Sequence, residues 1–109
     1  MKVIFRNWKC AALGAYYKGK DNKAIILYEL VEEDGKPDFD VPVATSTLNM
    51  DIEAPKGSVF IKEYSENAGM TDALVQAGII ELPSLMNVKA GFVTVHAYKL
   101  TEEALKELW

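Results

Sequence analysis

The chain has 109 residues, half of them hydrophobic and 26% charged, with a net charge of −4. That length and balance fit one folded domain over residues 1–109 and exclude a disordered polymer. No apolar run approaches the roughly 20 residues a membrane-spanning helix needs, and a lone cysteine, Cys10, excludes an intrachain disulfide or a Cys-rich zinc site.

In chain order, Val3 to Leu13 reads as an opening strand, or a pair broken near Asn7, with Phe5, Trp8 and Cys10 as candidates for burial. Gly19 and Asp21-Asn22 then supply turn chemistry. Lys23 to Glu32 is the clearest strand. Ala24, Ile26, Tyr28 and Leu30 share one face, and Ile25, Leu27, Glu29 and Val31 the other, which predicts a central position in the sheet. Glu33-Asp34-Gly35-Lys36-Pro37 reads as a loop, and Val41 to Asn49 as a third strand in which Pro42 suits a start or an edge. These first strands predict an antiparallel meander.

Ala54-Pro55-Lys56-Gly57 is a further turn, and Ser58 to Tyr64 a short fourth strand. Met70, Ala73, Leu74 and Ala77 form one apolar helical stripe, with Asn67 or Ser65 as the expected cap and Gly78 as the stop. Pro83 and Asn87 mark a loop, Phe92 to Leu100 a last strand, and Thr101-Glu102-Glu103 the start of a short helix. That helix is too short to persist alone and must dock through Leu105, Leu108 and Trp109. The fold class is α+β: a mostly antiparallel sheet of about five strands, one packed helix and a short C-terminal helix.

The run VFIKEYSENAGMTDALVQAGII, followed by the strand GFVTVHAYKL, resembles a family of small domains of unknown function found in phages, plasmids and conjugative elements of Firmicutes and Bacteroidetes. TSTLNMDIEAPKGSVF is similar to that family's strand–turn–strand lead-in, so the likeness spans roughly residues 40–100. Ala68 departs from it, standing where the family has an acid after the asparagine, and the TEEALKELW helix is particular to this chain. The resemblance implies an accessory protein of a mobile element, acting on a host or competing system. It implies no cofactor and carries over no active-site residues.

No catalytic constellation is legible. His96, the single histidine, would need a carboxylate such as Glu63 or Glu66 to orient it as a general base, and its place between Thr94 and Tyr98 favours a strand-lining role. Cys10 lies in apolar register between Trp8 and Ala12, which favours a small buried hydrophobe over a thiolate nucleophile. Glu66-Asn67-Ala68-Gly69 offers helix-start amides, read as ordinary capping rather than an anion site. Asp34, Asp38 and Asp40 lack the ordered ligand set of a calcium loop.

The charge is segregated. Residues 1–28 carry six basic side chains against one acid, and residues 29–53 carry eight acids against one lysine. Two candidate interaction surfaces follow: the turn of Tyr16, Tyr17, Lys18 and Lys20, and the acidic segment of Glu32, Glu33, Asp34, Asp38 and Asp40. These features predict a non-catalytic, cytoplasmic protein that binds a protein partner. Nucleic-acid binding through the basic N-terminal region, where Tyr16-Tyr17-Lys18-Gly19-Lys20 pairs aromatics with cations, is the alternative. No membrane association is expected.

Overall fold

Arg6 and Asn7 both adopt positive φ (48° and 70°), the backbone a two-residue hairpin loop requires, and they break the opening stretch into two strands. The computed structural model describes residues 1–18, 22–31 and 33–109. Strands β1 (Lys2–Phe5), β2 (Trp8–Tyr16), β3 (Lys23–Val31) and β4 (Lys36–Thr45) form a four-stranded antiparallel meander in that order. A second antiparallel sheet has the order β5 (Ser58–Ile61), β7 (Val93–Leu100), β6 (Ile80–Ala90). Helix α1 (Met70–Gln76) precedes β6, and α2 (Glu102–Leu108) follows β7.

The α+β class, the meander and both helices are as the sequence predicts, and β3 lies between two neighbours as its apolar faces require. The strands number seven rather than about five among the described residues, because the opening stretch is a hairpin and a further strand, β6, is present. Pro83 and Asn87 lie inside β6 and not in a loop. The strand is tolerated there because β6 is at an edge, where a missing N–H breaks no ladder, and a bulge between Glu81 and Met86 absorbs the irregular stretch around the cis Leu82–Pro83 bond. β4 likewise starts earlier than its composition suggests, taking in Lys36 and Pro37. It too is an edge strand, with a bulge opposite Tyr28.

Val3, Phe5, Cys10, Ala12, Ile25 and Leu27 supply one face of the first sheet to a core shared with Val59, Ile61, Met70, Leu74, Ile80, Leu100 and Ala104. Met70 and Leu74 are the buried members of the expected helical stripe. Trp8, expected in the core, is 46% exposed because it opens β2 at the rim, beyond the last β2–β3 pair, Cys10–Glu29. A smaller cluster of Phe60, Val95 and Ala97 lies on the other side of the second sheet, under Leu48, Met50 and Tyr64.

Segment 46–48 joins the two sheets. Ser46 donates from its amide and its hydroxyl to the Ile25 carbonyl, while Lys62 donates its amide to Ser46 O and Leu48 donates to Phe60 O. Helix α2 closes the core from the other end. Its backbone runs so near β2 that a Cβ added at Gly14 would stand 2.3 Å from the Leu108 carbonyl oxygen, and Trp109 Nε1 donates to Ala15 O at 3.0 Å. Among the described residues no helix is long and apolar enough to cross a membrane.

Candidate interaction surface

The two predicted surfaces lie at opposite ends of β3. Tyr16 ends β2 and Tyr17 and Lys18 follow it in the β2–β3 connection, while Glu33 and Asp34 lie in the β3–β4 turn. Nine residues at ~3.3 Å each separate the ends by about 26 Å, so one small ligand cannot touch both. Lys20 and Glu32, the remaining members, lie outside the described residues.

At the basic end the aromatics divide. The Tyr17 hydroxyl shares a 2.9 Å hydrogen bond with Thr47 Oγ1, and burial pushes its pKa up against that bond, so this ring is part of the framework. Tyr16 is exposed, with Lys23 Nζ 5.6 Å from its ring centre; the same ammonium lies 5.8 Å from the Trp109 ring.

At the acidic end the carboxylates shape the local backbone. Asp34 Oδ1 accepts from the Lys36 amide at 2.9 Å and Asp38 Oδ1 from the Asp40 amide at 3.0 Å, the usual way aspartates fix turns. Among the described residues no three His, Cys, Asp or Glu side chains are grouped to hold a metal ion. Phe39 stands between Asp38 and Asp40 in the chain, 66% exposed, in a T-shaped contact with Tyr28 whose ring centres are 5.3 Å apart.

The groups weighed for catalysis are engaged elsewhere. His96 Nδ1 is bonded to the side-chain oxygen of Asn87, its cross-strand neighbour, and Asn87 also accepts from Ser84 Oγ. Glu66 pairs with Lys62. Glu63 accepts from the amides of Gly69 at 2.6 Å and Thr71 at 2.7 Å, which makes it the cap of α1 in place of the expected Asn67 or Ser65. The helix-start amides do hold an anion, but it is the chain's own carboxylate. Asn67 is buried and donates instead to Thr45 O at 2.8 Å. Cys10 is fully buried, and desolvation followed by the nearby Glu29 charge pushes its thiol up to about 11, which holds it protonated at neutral pH.

What sequence reasoning did not single out is the outer face of the first sheet. Pairing of Lys2 with Ala11, Ile4 with Lys9 and Leu13 with Ile26 places these residues opposite the core, in line with Tyr28 and Leu30. Ile4, Leu13, Ile26, Tyr28 and Leu30 belong to neither core cluster, and both helices and the second sheet pack on the inner face, while the small Ala11 and Ala24 among them are buried. Ile4 is 68% exposed. Beside it, a cleft of about 230 Å³ runs between Lys2, Val3, Ile4, Lys9, Cys10 and Leu30. A second, of about 480 Å³, opens where β2 and β3 part, between Asn7, Trp8, Lys9, Glu29, Leu30 and Val31. The signal lies in β3, whose two faces are both apolar: one packs on the core and the other is left uncovered.

Searches against protein-family models, curated proteins and solved structures gave no match.

Proposed function

We propose that this chain is a non-catalytic accessory protein of a mobile genetic element that binds a cytoplasmic protein partner. The observation that carries the binding reading is the uncovered apolar face of the first sheet, bordered by Lys2 and Lys9 and ending at the β4 rim in Phe39. An apolar patch bordered by charge is what a protein interface needs: a dry centre that gains from leaving water and a rim that selects the partner. The mobile-element origin rests on the resemblance of residues 40–100, and the cytoplasmic location on the buried free thiol of Cys10 and the resemblance together.

Affinity capture from a bacterial lysate, with and without nuclease, tests the reading. The expected result is one protein retained after nuclease and in ~0.3 M salt, where surface charge attraction is largely screened, and lost with Ile4→Lys. The second reading, weak nucleic-acid binding, is favoured by exposed Tyr16 with the Lys23 ammonium beside its ring. It predicts that all retention disappears on nuclease treatment or added salt.

A further inference from the structure

We infer that the open edge of β6 pairs with the same edge of a second copy of this chain, antiparallel about a two-fold axis at Val88, so that the β5–β7–β6 sheets of the two copies become one. This surface is distinct from the first-sheet face described above. The state of the sheet edges and the order of residues along this one carry the inference.

The two sheets have four edges, and three are closed to pairing. β1 has only four residues, and β4 carries Pro37, Pro42 and a bulge opposite Tyr28. β5 is already bonded along its outer side, where Leu48 donates its amide to Phe60 O and Lys62 donates to Ser46 O. β6 has β7 as its only strand neighbour, and from Met86 to Ala90 it runs with no proline and no bulge. Gly91, at φ 64°, opens a two-residue turn that closes on the Ala90–Val93 pair. A closing pair is hydrogen-bonded, so Met86, Val88 and Ala90 turn their backbone groups toward β7, while Asn87 and Lys89 turn theirs outward. Among the described residues no other segment bonds those outward groups. Unpaired N–H and C=O groups at strand spacing are a template for another strand.

The order of residues along the edge names that strand as a second copy. With Val88 on the axis, Val88 faces Val88, and Met86 faces Ala90 of the other copy. This extends the apolar row that the same residues already pack against Phe60, Val95 and Ala97. Asn87 of each copy lies opposite Lys89 of the other, each such pair exchanging both N–H···O bonds. Every lysine therefore stands beside an asparagine, whereas an axis at Lys89, or parallel pairing in register, sets lysine against lysine.

The ends of the edge match in the same way. Phe92, at the tip of the hairpin, is fully exposed, and Leu82 and Leu85, in the irregular stretch at the other end, are 60% and 52% exposed. Antiparallel pairing about Val88 brings the Phe92 end of each copy beside the Leu85 end of the other. The strand thus matches its own reversal, which is what a two-fold interface demands.

Light scattering on size-fractionated full-length chain from ~1 µM to ~1 mM, the range in which so short an interface associates, tests this. The expected mass rises from the 12.1 kDa of one chain to twice that value. Lys89→Pro removes an outward N–H that the monomer does not use and weakens the dimer about thirtyfold, since the axis doubles the loss. Phe92→Ser, at a site with no cover to lose, weakens it about tenfold. Val88→Cys reads the register. Across a non-hydrogen-bonded pair the Cα atoms stand about 4.5 Å apart, within disulfide reach, so mild oxidation links the copies in that variant and not in Thr94→Cys on β7. The native Cys10 is buried and takes no part. A single-chain mass at every concentration, a dimer indifferent to Lys89→Pro and Phe92→Ser, or oxidation that links Thr94→Cys as fast as Val88→Cys overturns the inference. So does a dimer lost with Ile4→Lys and kept with Lys89→Pro, which assigns self-association to the first sheet's outer face.

Discussion

Glu63 shows how one side chain can take over a role its neighbours were built to play. Asn67 and Ser65 have the chemistry of a helix cap, yet Asn67 is drawn into the core toward Thr45 O and Gly69, at φ 95°, turns the chain so that its own amide and that of Thr71 point at Glu63. Burial pushes the Glu63 carboxyl up, but the two amides and the Arg6 guanidinium outweigh it and hold the pKa below the usual carboxylate value. A carboxylate with a depressed folded pKa stabilises the native state above its unfolded value of ~4.3, and that stability is lost as pH falls through the folded pKa. Glu63→Gln is therefore expected to lower stability at pH 7 by about 1 kcal/mol, at the modest end for a cap because the site is solvent-screened. The gap from wild type should close as pH falls below the unfolded value in urea titrations. A gap that is constant with pH would mean that the carboxylate's charge plays no part.

At the scale of elements, α2 is the most dependent piece. Seven residues do not hold a helix in water, and this one persists through what it touches. Thr101 Oγ1 accepts from the Ala104 amide at 3.0 Å and donates to Gly78 O at 2.6 Å, so one hydroxyl caps α2 and ties it to the end of α1. Thr101→Ala should cost about 1–2 kcal/mol in chemical unfolding, with Thr101→Ser recovering most of it. If the serine were as poor as the alanine, the methyl group's packing would be the cause instead. Thr101 as a cap was legible in the residues themselves, because capping is local. β6 was not: Pro83 and Asn87 are turn formers by local preference, and only pairing of Met86 to Ala90 with β7 overrides them. Trp8 was misplaced for a related reason, since alternation assigns a face but does not say where a strand runs out of neighbours.

At the scale of the molecule, the two sheets are held together by segment 46–48, where polar groups are buried. Thr47 Oγ1 accepts from the Ile25 amide at 3.2 Å and shares its other bond with the Tyr17 hydroxyl, linking β3 and the β2–β3 connection to the segment where the chain leaves the first sheet. Thr47→Val keeps the shape but orphans both partners, and is expected to cost about 1–3 kcal/mol. Adding Tyr17→Phe to that variant should cost less than Tyr17→Phe alone, since the bond is already gone; strict additivity in the double-mutant cycle would rule out the coupling.

The α+β class, the central place of β3, the buried Cys10, the apolar stripe of α1, the stop at Gly78 and the cap of α2 were all legible in the residues. Each of these is decided by side-chain period or by bonds spanning a few residues, so the information lies within one short window. Long-range packing instead makes Glu63 the cap of α1, forms β6, sets the basic and acidic surfaces at opposite ends of β3, and turns Ile4, Tyr28, Leu30 and Phe39 outward together. An apolar residue on a strand carries the same preference whether a helix covers it or water does. Which of the two faces of β3 is covered depends on where α1, α2 and the second sheet dock, and those contacts join residues far apart in the chain.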